Sequence, residues 1–497
     1  MMAPTALPLA VTPHQERALD PLPFASPDVF DADLEAFLQD ASHQLCRWLG
    51  SALSRPPLPG LSLLPAVEPE HSGLGAERLL ADLHLVMEGA YNPNHPGALA
   101  HLDPPPLSAS LVGDLICAGL NNNLLAEELS PSLSRLERSL CGWLARRLGL
   151  GEHSGGVPAS GGSLSNLMAL VTARESRGLR GVPEAVVLCG LDSHTSLEKA
   201  AMVMGLPAAA LRRLPLDHDG RLVPERVAEC LEALSAAGSP VIALVATAGT
   251  TVRGAVDPLV ELAALCRRHG VWLHVDAAIG GVLGLSERHR HRVEGLGLAD
   301  SITINPQKLL GITKTSSLLL LADPSALERS FATGLPYMEL SREGGHGGEC
   351  GLQGSRGAEI LKLWLGLRQL GLEGIEAVIE GAIQRRRRLQ QLLQSAQHAG
   401  ELSLLSGPLH LLAFRPSQLG ASGCEQWSQQ CRQQLLAHDL MLSRPRYQGR
   451  HHLKAVLGNP HTEEEHLQRL AAVVHRSLPP RVSGHGGPGP GPSEQQP

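Results

Sequence analysis

The stretch WLHVD at residues 272–276 is a short, mostly apolar run that ends on a carboxylate. Comparable apolar runs occupy residues 185–189, 240–247 and 301–304, and segments of helical periodicity lie between them. Short strands that alternate with helices of about a dozen residues are typical of parallel pairing with both faces of the sheet covered. The pattern therefore predicts a mostly parallel α/β domain over residues 130–372.

Composition changes on both sides of this domain. Residues 1–30 are rich in Pro and Ala and are expected to be flexible, and apolar residues at three- and four-residue steps predict a helical segment over 31–129. Mixed helical and strand-like runs predict a small α+β domain over 373–479, in which the four arginines at 385–388 are expected to form a solvated helix face. The Pro- and Gly-rich stretch 480–497 is expected to be disordered.

Charge and aromatic content limit the classes of partner. The 497 residues include 42 Lys and Arg against 49 Asp and Glu, a formal net charge of −7, with only 5 Phe, 5 Trp and 3 Tyr. Such a chain is poorly suited to neutralise a phosphate backbone or to stack on bases, so nucleic acid is not an expected partner. No apolar run approaches the roughly 18 residues that span a bilayer, so no membrane partner is expected.

The nine cysteines are widely spaced and contain no Cys-x-x-Cys pair. This favours free thiols in a reducing compartment over a disulfide framework or a zinc site. The N-terminal stretch has no basic segment before its apolar residues, so a secretory signal is not expected and a cytoplasmic protein is. Two histidine pairs, His289 with His291 and His451 with His452, lack supporting ligands and are expected on the solvated surface, so no metal site is predicted.

Lysine is scarce in this chain, and arginine carries most of the positive charge. The five lysines are Lys199, Lys308, Lys314, Lys362 and Lys454. An amine nucleophile has to come from this set, because arginine stays protonated at ordinary pH. Lys308 is the best candidate since it follows the apolar run 301–304, although a lone lysine after a strand is more often a surface residue. Lys454, by contrast, falls within a late strand-like segment.

A glycine-containing turn, SGGSLSN at residues 160–166, leads directly into a helical segment. The unpaired amides and the positive dipole end of such a helix suit a phosphate group, and the Ser163 hydroxyl adds a donor. An ordinary helix N-terminus is an equally good interpretation of this turn alone. The Gly-x-Gly-x-x-Gly spacing and the Gly-Lys-[Ser/Thr] motif of nucleotide-binding loops are both absent.

Three features together point to one cofactor. Pyridoxal 5′-phosphate (PLP) needs a cup for its phosphate, a carboxylate for its pyridine nitrogen and an amine for its aldehyde. The turn before the helix, Asp276 and Lys308 provide these three groups in this order along the chain. His194 lies between the first two, and an imidazole can stack on a flat ring, although singly it would more often be a polar loop residue.

The chain resembles the group II PLP-dependent amino-acid decarboxylases over about residues 95–461. This family includes glutamate, aromatic-amino-acid, cysteine-sulfinate and diaminobutyrate decarboxylases. The motifs that carry the resemblance occur in the family's order and are HP at 95–96, LSPSLSRLE at 129–137, SGGSLSN at 160–166, SHTSLEKA at 193–200, ATAGTTVRGAVDPL at 246–259, HVDAAIGG at 274–281, NPQK at 305–308 and LQGSRGAEILKLWL at 352–365.

The resemblance implies a fold type I enzyme that acts as a homodimer, and it implies a role for each site residue. Lys308 would join the cofactor aldehyde, and Asp276 would pair with the pyridine nitrogen. His194 and the methyl group of Ala278 would press on the two faces of the ring. Contacts to the phosphate and to the phenolic oxygen would come from Gly162, Ser163 and Asn305, and from Thr247, respectively.

Two positions depart from the family pattern. Many members carry His immediately before the lysine, where this chain has Gln307. Many also carry a Tyr in a mobile loop, and the corresponding stretch 341–350 contains none. His346 in that stretch is a candidate replacement as proton donor, because imidazole titrates near neutrality, and a spacer role is equally compatible with its glycine neighbours.

The segment 97–102 lacks the aromatic residues that aromatic-amino-acid decarboxylases carry there, so an aliphatic polar substrate, acidic or diamino, is expected. The asparagines at 121–123 either contact such a side chain or cap a helix. The leading hypothesis is α-decarboxylation of an L-amino acid to an amine and CO₂. The alternatives are another carbon–carbon lyase or aldehyde-forming reaction on the same scaffold, and a non-catalytic PLP-binding homologue.

Overall fold

The computed structural model describes residues 24–334 and 345–480. The chain divides into two compact units, one ending at Ser51 and including Gly60–Ala90, the other comprising Ala52–Pro59 and the chain from Tyr91 onward. The first unit contains α1 (Ala32–Gly50) and α2 (Ala76–Glu88). Asp31 caps α1 by accepting a hydrogen bond from the Leu34 amide at 2.8 Å, as expected for an acidic residue at a helix start.

The second unit is built on a seven-stranded sheet flanked by helices. Its strands are β1 (Gly155–Ala159), β2 (Val186–Gly190), β3 (Leu211–Leu214), β4 (Val241–Thr247), β5 (Trp272–Ala277), β6 (Ser301–Ile304) and β7 (Ser317–Leu321). They lie in the order β1-β7-β6-β5-β4-β2-β3, and only β7 runs antiparallel to its neighbours. The predicted mostly parallel α/β class is confirmed.

The helices of this unit follow the amphipathic segments of the sequence, since burial of an apolar face stabilises each of them on the sheet or on a neighbouring helix. They are α3 (Ser108–Leu120), α4 (Pro131–Arg147), α5 (Gly162–Ser176), α6 (Ser196–Val203), α7 (Pro224–Ala236), α8 (Leu259–His269) and α9 (Ser325–Phe331). The asparagines after α3 cap it: Asn121 adopts the left-handed conformation with φ 45°, and Asn122 donates to the Leu120 carbonyl at 2.8 Å. The predicted helix cap is therefore observed at Asn121 and Asn122, and a contact of 121–123 with a substrate stays a prediction.

A smaller sheet follows the long helix α10 (Ile360–His398). Gly371 interrupts α10 with φ 61° and ψ −180°, so α10 consists of two helical halves. The remaining elements are β8 (Leu402–Leu405), β9 (Leu411–Pro416), α11 (Ala421–Leu436), β10 (Arg446–Tyr447), β11 (Arg450–His451), β12 (Leu453–Val456) and α12 (Glu464–Arg476). Strands β12, β9 and β8 form an antiparallel sheet, and the predicted domain boundaries within the second unit stay predictions.

Two surface predictions are wrong. Arg386 is buried rather than solvated, and its Nε donates to the Leu409 carbonyl at 3.0 Å, because α10 packs against the small sheet on that side. His289 and His452 are also buried; His289 lies 2.8 Å from the Glu380 carboxylate, and His452 packs edge-on against the ring of Tyr447.

The register of the central strands positions the site. Thr247 is paired with Asp276 across β4 and β5, and Asp276 is paired with Thr303 across β5 and β6. Because parallel strands end at the same edge of a sheet, the residues that follow β6, Asn305 to Lys308, lie beside the ends of β4 and β5. This is the edge at which open α/β sheets bind ligands.

Candidate cofactor and substrate site

A cavity of about 260 Å³ lies at this edge of the sheet. The eight residues predicted to bind the cofactor all line it: Gly162, Ser163, His194, Thr247, Asp276, Ala278, Asn305 and Lys308. These residues come from the ends of β4, β5 and β6, from the start of α5 and from the loop after β2. His346 is not among the residues that line the cavity, and its role as proton donor stays a prediction.

Lys308 lies in the short turn Pro306–Lys308 after β6 and is half-buried. Burial lowers the pKa of its amine, although the nearby carboxylates of Asp276 and Asp103 act in the opposite direction. A lowered pKa increases the fraction of neutral amine, which is the form that attacks a carbonyl.

The start of α5 and the side chain of Asn305 line the part of the cavity that is predicted to be the anion cup. Gly161, just before α5, has φ 134°, a conformation that side chains rarely adopt, and this lets the chain enter the helix with its first amides facing the cavity. A Cβ on Gly162 would lie 3.1 Å from Asn305 Nδ2, so the two segments approach closely across the cup. Asn305 Oδ1 is buried and has no hydrogen-bond partner within the described residues. A buried amide left incompletely satisfied is typical of a ligand site.

Gln307, which replaces the family's usual His, has a structural partner. Its Oε1 accepts a hydrogen bond from the Ser316 amide and so ties the turn after β6 to the start of the next segment. The side chain also lines the cavity. An amide in this position orders the loop without adding charge beside the cup.

Asp276 and His194 are held by their neighbours. Asp276 accepts hydrogen bonds from the Ala278 amide at 3.2 Å and from Asn166 Nδ2 at 2.9 Å, two donors that suit a carboxylate. His194 accepts a hydrogen bond on Nδ1 from the Ser196 amide at 3.1 Å. Desolvation lowers the pKa of His194, with the positive charges of Lys308 and Lys199 acting in the same direction, so a neutral ring is favoured at pH 7.

Sequence reasoning missed three residues at this site. Lys454, on β12, donates from Nζ to the carbonyl of Thr251, a cavity-lining residue, at 3.1 Å. Burial lowers the pKa of Lys454 to about 8, and the charge of Lys308 acts in the same direction. Tyr447 donates to Asp192, which lines the cavity, at 2.6 Å. Lys454 is one of only five lysines, but it lies 146 positions beyond Lys308 in the sequence. Nothing in the sequence indicated that the two residues are close in space.

Two further features concern a possible metal ion and a possible membrane. Asp217, His218 and Asp219 are the one group in the described ranges whose ligand atoms lie close enough for a metal ion, and Arg221 pairs with both carboxylates at 2.8 and 3.6 Å. The guanidinium group of Arg221 therefore already compensates the negative charge that would attract a metal ion. In the described part of the chain, no helix combines the length and the apolar character needed to cross a bilayer.

Residues 63–415 match the pyridoxal-dependent decarboxylase conserved domain. The chain belongs to the pyridoxal-dependent decarboxylase family. It is 32% identical over 366 residues to the cysteine sulfinic acid decarboxylase of Rattus norvegicus, covering 69% of this chain and 70% of the relative. It is 33% identical over 416 residues to the L-2,4-diaminobutyrate decarboxylase of Rhizobium meliloti, covering 82% and 81%. The crystal structure of mouse CSAD superposes with a TM-score of 0.81 at 27% identity and covers 89% of this chain and 98% of that one.

The predicted enzyme class and cofactor are therefore confirmed. This pyridoxal-dependent decarboxylase is a carboxy-lyase of fold type I, and its cofactor is pyridoxal 5′-phosphate. The residues present fit that cofactor. Asn305 Nδ2 and the amides at the start of α5 can donate to a phosphate. The half-buried amine of Lys308 and the carboxylate of Asp276, which accepts two hydrogen bonds, match the other groups that PLP requires.

Replacement of Asn305 tests the anion cup. We expect Asn305→Ala to weaken PLP binding by roughly 10- to 100-fold, because it removes a hydrogen bond to a charged phosphate. The measurement is a fluorescence titration of the apoenzyme with PLP. Asn122→Ala, whose side chain bonds only the Leu120 carbonyl in the cap after α3, is the control and should bind PLP as the unaltered protein does. Equal affinity of Asn305→Ala and the control would show that Asn305 does not hold the phosphate.

Proposed function

We propose that this decarboxylase acts on an aliphatic L-amino acid whose side chain is acidic, with the residue roles implied by the family resemblance. The observation that supports an acidic substrate is Lys454, a half-buried amine beside the cavity that none of the predicted cofactor contacts uses. The relative from Rattus norvegicus carries the name of a decarboxylase of an acidic, sulfinate-bearing amino acid.

The positions of the cavity-lining residues support the roles that we propose for them. PLP, when bound, supplies an electron sink for the pair left at Cα as CO₂ departs. Asp276 would hold a proton on the ring nitrogen. Both of its hydrogen bonds within the protein come from N–H donors, so the carboxylate acts as an acceptor at this site. His194 and Ala278 would contact the two faces of the ring, and Lys308 would offer its amine from the turn after β6. Fixed orientation of the breaking bond is a large part of such catalysis.

Lys454 is suited to a side-chain anion rather than to the carboxylate that leaves. A desolvated ammonium is unfavourable unless an opposite charge or several acceptors meet it, and the Thr251 carbonyl supplies one acceptor. A strong ion pair to the leaving carboxylate would stabilise the ground state and slow the loss of CO₂. An ion pair to the distal carboxylate or sulfinate of the substrate improves binding without that penalty.

A diamino acid is the second candidate, and Asp192 is the observation that favours it. Its carboxylate lines the cavity and is held by the Tyr447 hydroxyl at 2.6 Å. A carboxylate in that place could accept a distal ammonium group. Burial raises the pKa of Asp192, whereas the Tyr447 hydrogen bond and the charges of Arg253 and Arg213 lower it, so protein groups already compensate part of its charge.

A substrate panel with matched variants separates these candidates. We expect the holoenzyme to convert aspartate, glutamate or cysteine sulfinate to amine and CO₂ in equal amounts, without ammonia. Lys454→Met should reduce kcat/KM for the best acidic substrate by roughly 100-fold, because a partly buried charge pair is lost, and Lys454→Arg should retain much of it. Asp192→Asn should leave that substrate within a few-fold.

Other outcomes of this panel contradict the proposal. A preference for 2,4-diaminobutyrate that Asp192→Asn abolishes would assign the second candidate. Ammonia and an aldehyde in place of the amine would indicate an aldehyde-forming enzyme. A holoenzyme that turns over no amino acid would indicate a non-catalytic homologue.

The pH dependence gives an independent measure of Lys454. Its ammonium is charged below its pKa of about 8, so the attraction for an acidic substrate is complete at pH 7 and is lost as the pH rises above about 8. We expect kcat/KM for the acidic substrate to fall with an apparent pKa near 8, measured with saturating PLP. In Lys454→Arg this descending limb should move to a higher pH, because guanidinium stays protonated. An unmoved limb would assign the titration to another group.

We also propose that the enzyme is a cytoplasmic homodimer. All nine cysteines are free thiols, which fits a reducing compartment. One face of α3 is apolar and about half exposed, with Val112 at 53%, Leu115 at 47%, Ile116 at 47% and Leu120 at 49%. An exposed apolar face of this kind favours contact with a second copy of the chain, in line with the dimer that the family resemblance implies.

A charge on α3 tests the dimer. We expect Val112→Glu to shift the protein toward the monomer, measured by light scattering after size exclusion, because a carboxylate would be buried in the interface. Val260→Glu, at a 43% exposed position on α8, is the matched control and should keep the mass of the unaltered protein. The same dimer mass for both variants would place the interface elsewhere.

A further inference from the structure

A row of polar side chains lies buried behind the cavity. Along β5, residues Trp272, His274 and Asp276 alternate with Leu273, Val275 and Ala277, which are core residues on the opposite face. The paired strand β6 places Ser301 beside His274 and Thr303 beside Asp276. His274, Ser301 and Thr303 are completely buried. Such a row is unfavourable in a protein core unless its members are hydrogen-bonded, so its presence calls for a specific role.

Hydrogen bonds connect this row to Asp276 through one residue of α5. Asn166 Nδ2 donates to Asp276 Oδ2 and to Ser196 Oγ, both at 2.9 Å. Asn166 Oδ1 accepts from Thr303 Oγ1 at 2.8 Å and lies 3.1 Å from His274 Nε2. His274 Nδ1 lies 2.9 Å from Ser301 Oγ, which accepts a hydrogen bond from Trp272 Nε1 at 2.8 Å. Asn166 is 1% exposed.

The donors in this chain all point toward Asp276. A carboxylate accepts, so the Asn166 amide must direct its nitrogen at Asp276 and its oxygen at His274. His274 therefore carries its proton on Nε2, and its Nδ1 accepts from the Ser301 hydroxyl. Burial lowers the pKa of His274 to about 4, which keeps the ring neutral in this tautomer.

We propose that Asn166, oriented by His274 and Thr303, is a positioning residue that keeps Asp276 a hydrogen-bond acceptor for the cofactor's ring nitrogen and separates it from the imidazole. An amide transmits the polarity of the hydrogen-bond chain but does not take up a proton at neutral pH. The proton on the ring nitrogen therefore has no transfer route through Asn166 to His274. This inference rests on the proposed pairing of Asp276 with the cofactor.

The experiment is ¹⁵N NMR of the holoenzyme reconstituted with PLP labelled at the ring nitrogen, because the shift of that nitrogen reports its protonation. We expect the unaltered protein to show a protonated nitrogen. Asn166→Leu should move the shift toward the unprotonated value and lower kcat by roughly 10-fold or more with little change in KM. His274→Leu should move the shift in the same direction, and His274→Gln, which can again donate to the Asn166 oxygen, should restore it.

Controls separate this inference from the proposed function and from general damage. Thr172→Val, at a buried position on α5 whose hydroxyl has no partner in the described residues, should leave the shift unchanged. If Asp276→Asn leaves the shift unchanged, the pairing of Asp276 with the cofactor is wrong. If Asp276→Asn changes it and Asn166→Leu does not, only the positioning role is overturned. If Asn166→Leu does not fold, the residues that orient Asn166 decide: an unchanged shift in the double variant His274→Leu, Thr303→Val overturns the inference.

Discussion

The backbone hydrogen bonds of β4, β5 and β6 are the constraint on which the site depends. Because these strands are parallel and in register, all three end at the same edge of the sheet. Thr247 therefore lies beside Asp276, and Asn305 to Lys308 follow β6 at the same edge. A shift of one residue in β5 would turn Asp276 toward the apolar face occupied by Val275 and Ala277. The register is held by the large core on that face, so the stability of the sheet and the geometry of the site have a common origin.

Burial lowers the pKa of the two lysine side chains at this edge of the sheet. Both of them, Lys308 and Lys454, are partly removed from water. Asp276 and the anion cup provide the opposite charge and the donors that a phosphorylated, nitrogen-bearing ring needs. The division of roles follows from position: Lys308 sits in the turn after β6 in the large sheet, whereas Lys454 comes from the small sheet and approaches through Thr251.

Strong local patterns were reliable guides to the fold. The helices from α3 to α8 and the strands β2, β4, β5 and β6 lie close to the segments that periodicity predicts. In the large sheet, β1, β3 and β7 were not predicted. In β1, Gly155, Gly156 and Pro158 give no strand preference, yet the strand forms at the sheet edge, where proline is tolerated and where a Cβ at Gly156 would overlap the Leu319 carbonyl of β7. Burial of Arg386 and His289 was likewise unpredictable, since it depends on which elements pack over them.

The order of residues along the chain pointed to the cofactor. A glycine-containing turn before a helix, a carboxylate at the end of one strand and a lysine after the next strand can each be recognised locally, and together they are the groups that PLP needs. Folding decided the rest of the site. Lys454, the Tyr447–Asp192 contact and the chain from Trp272 to Asn166 join residues far apart in the sequence. Their roles depend on distances between side chains and on exclusion of water, and neither quantity exists until the sheet, the helices and the small domain have packed together.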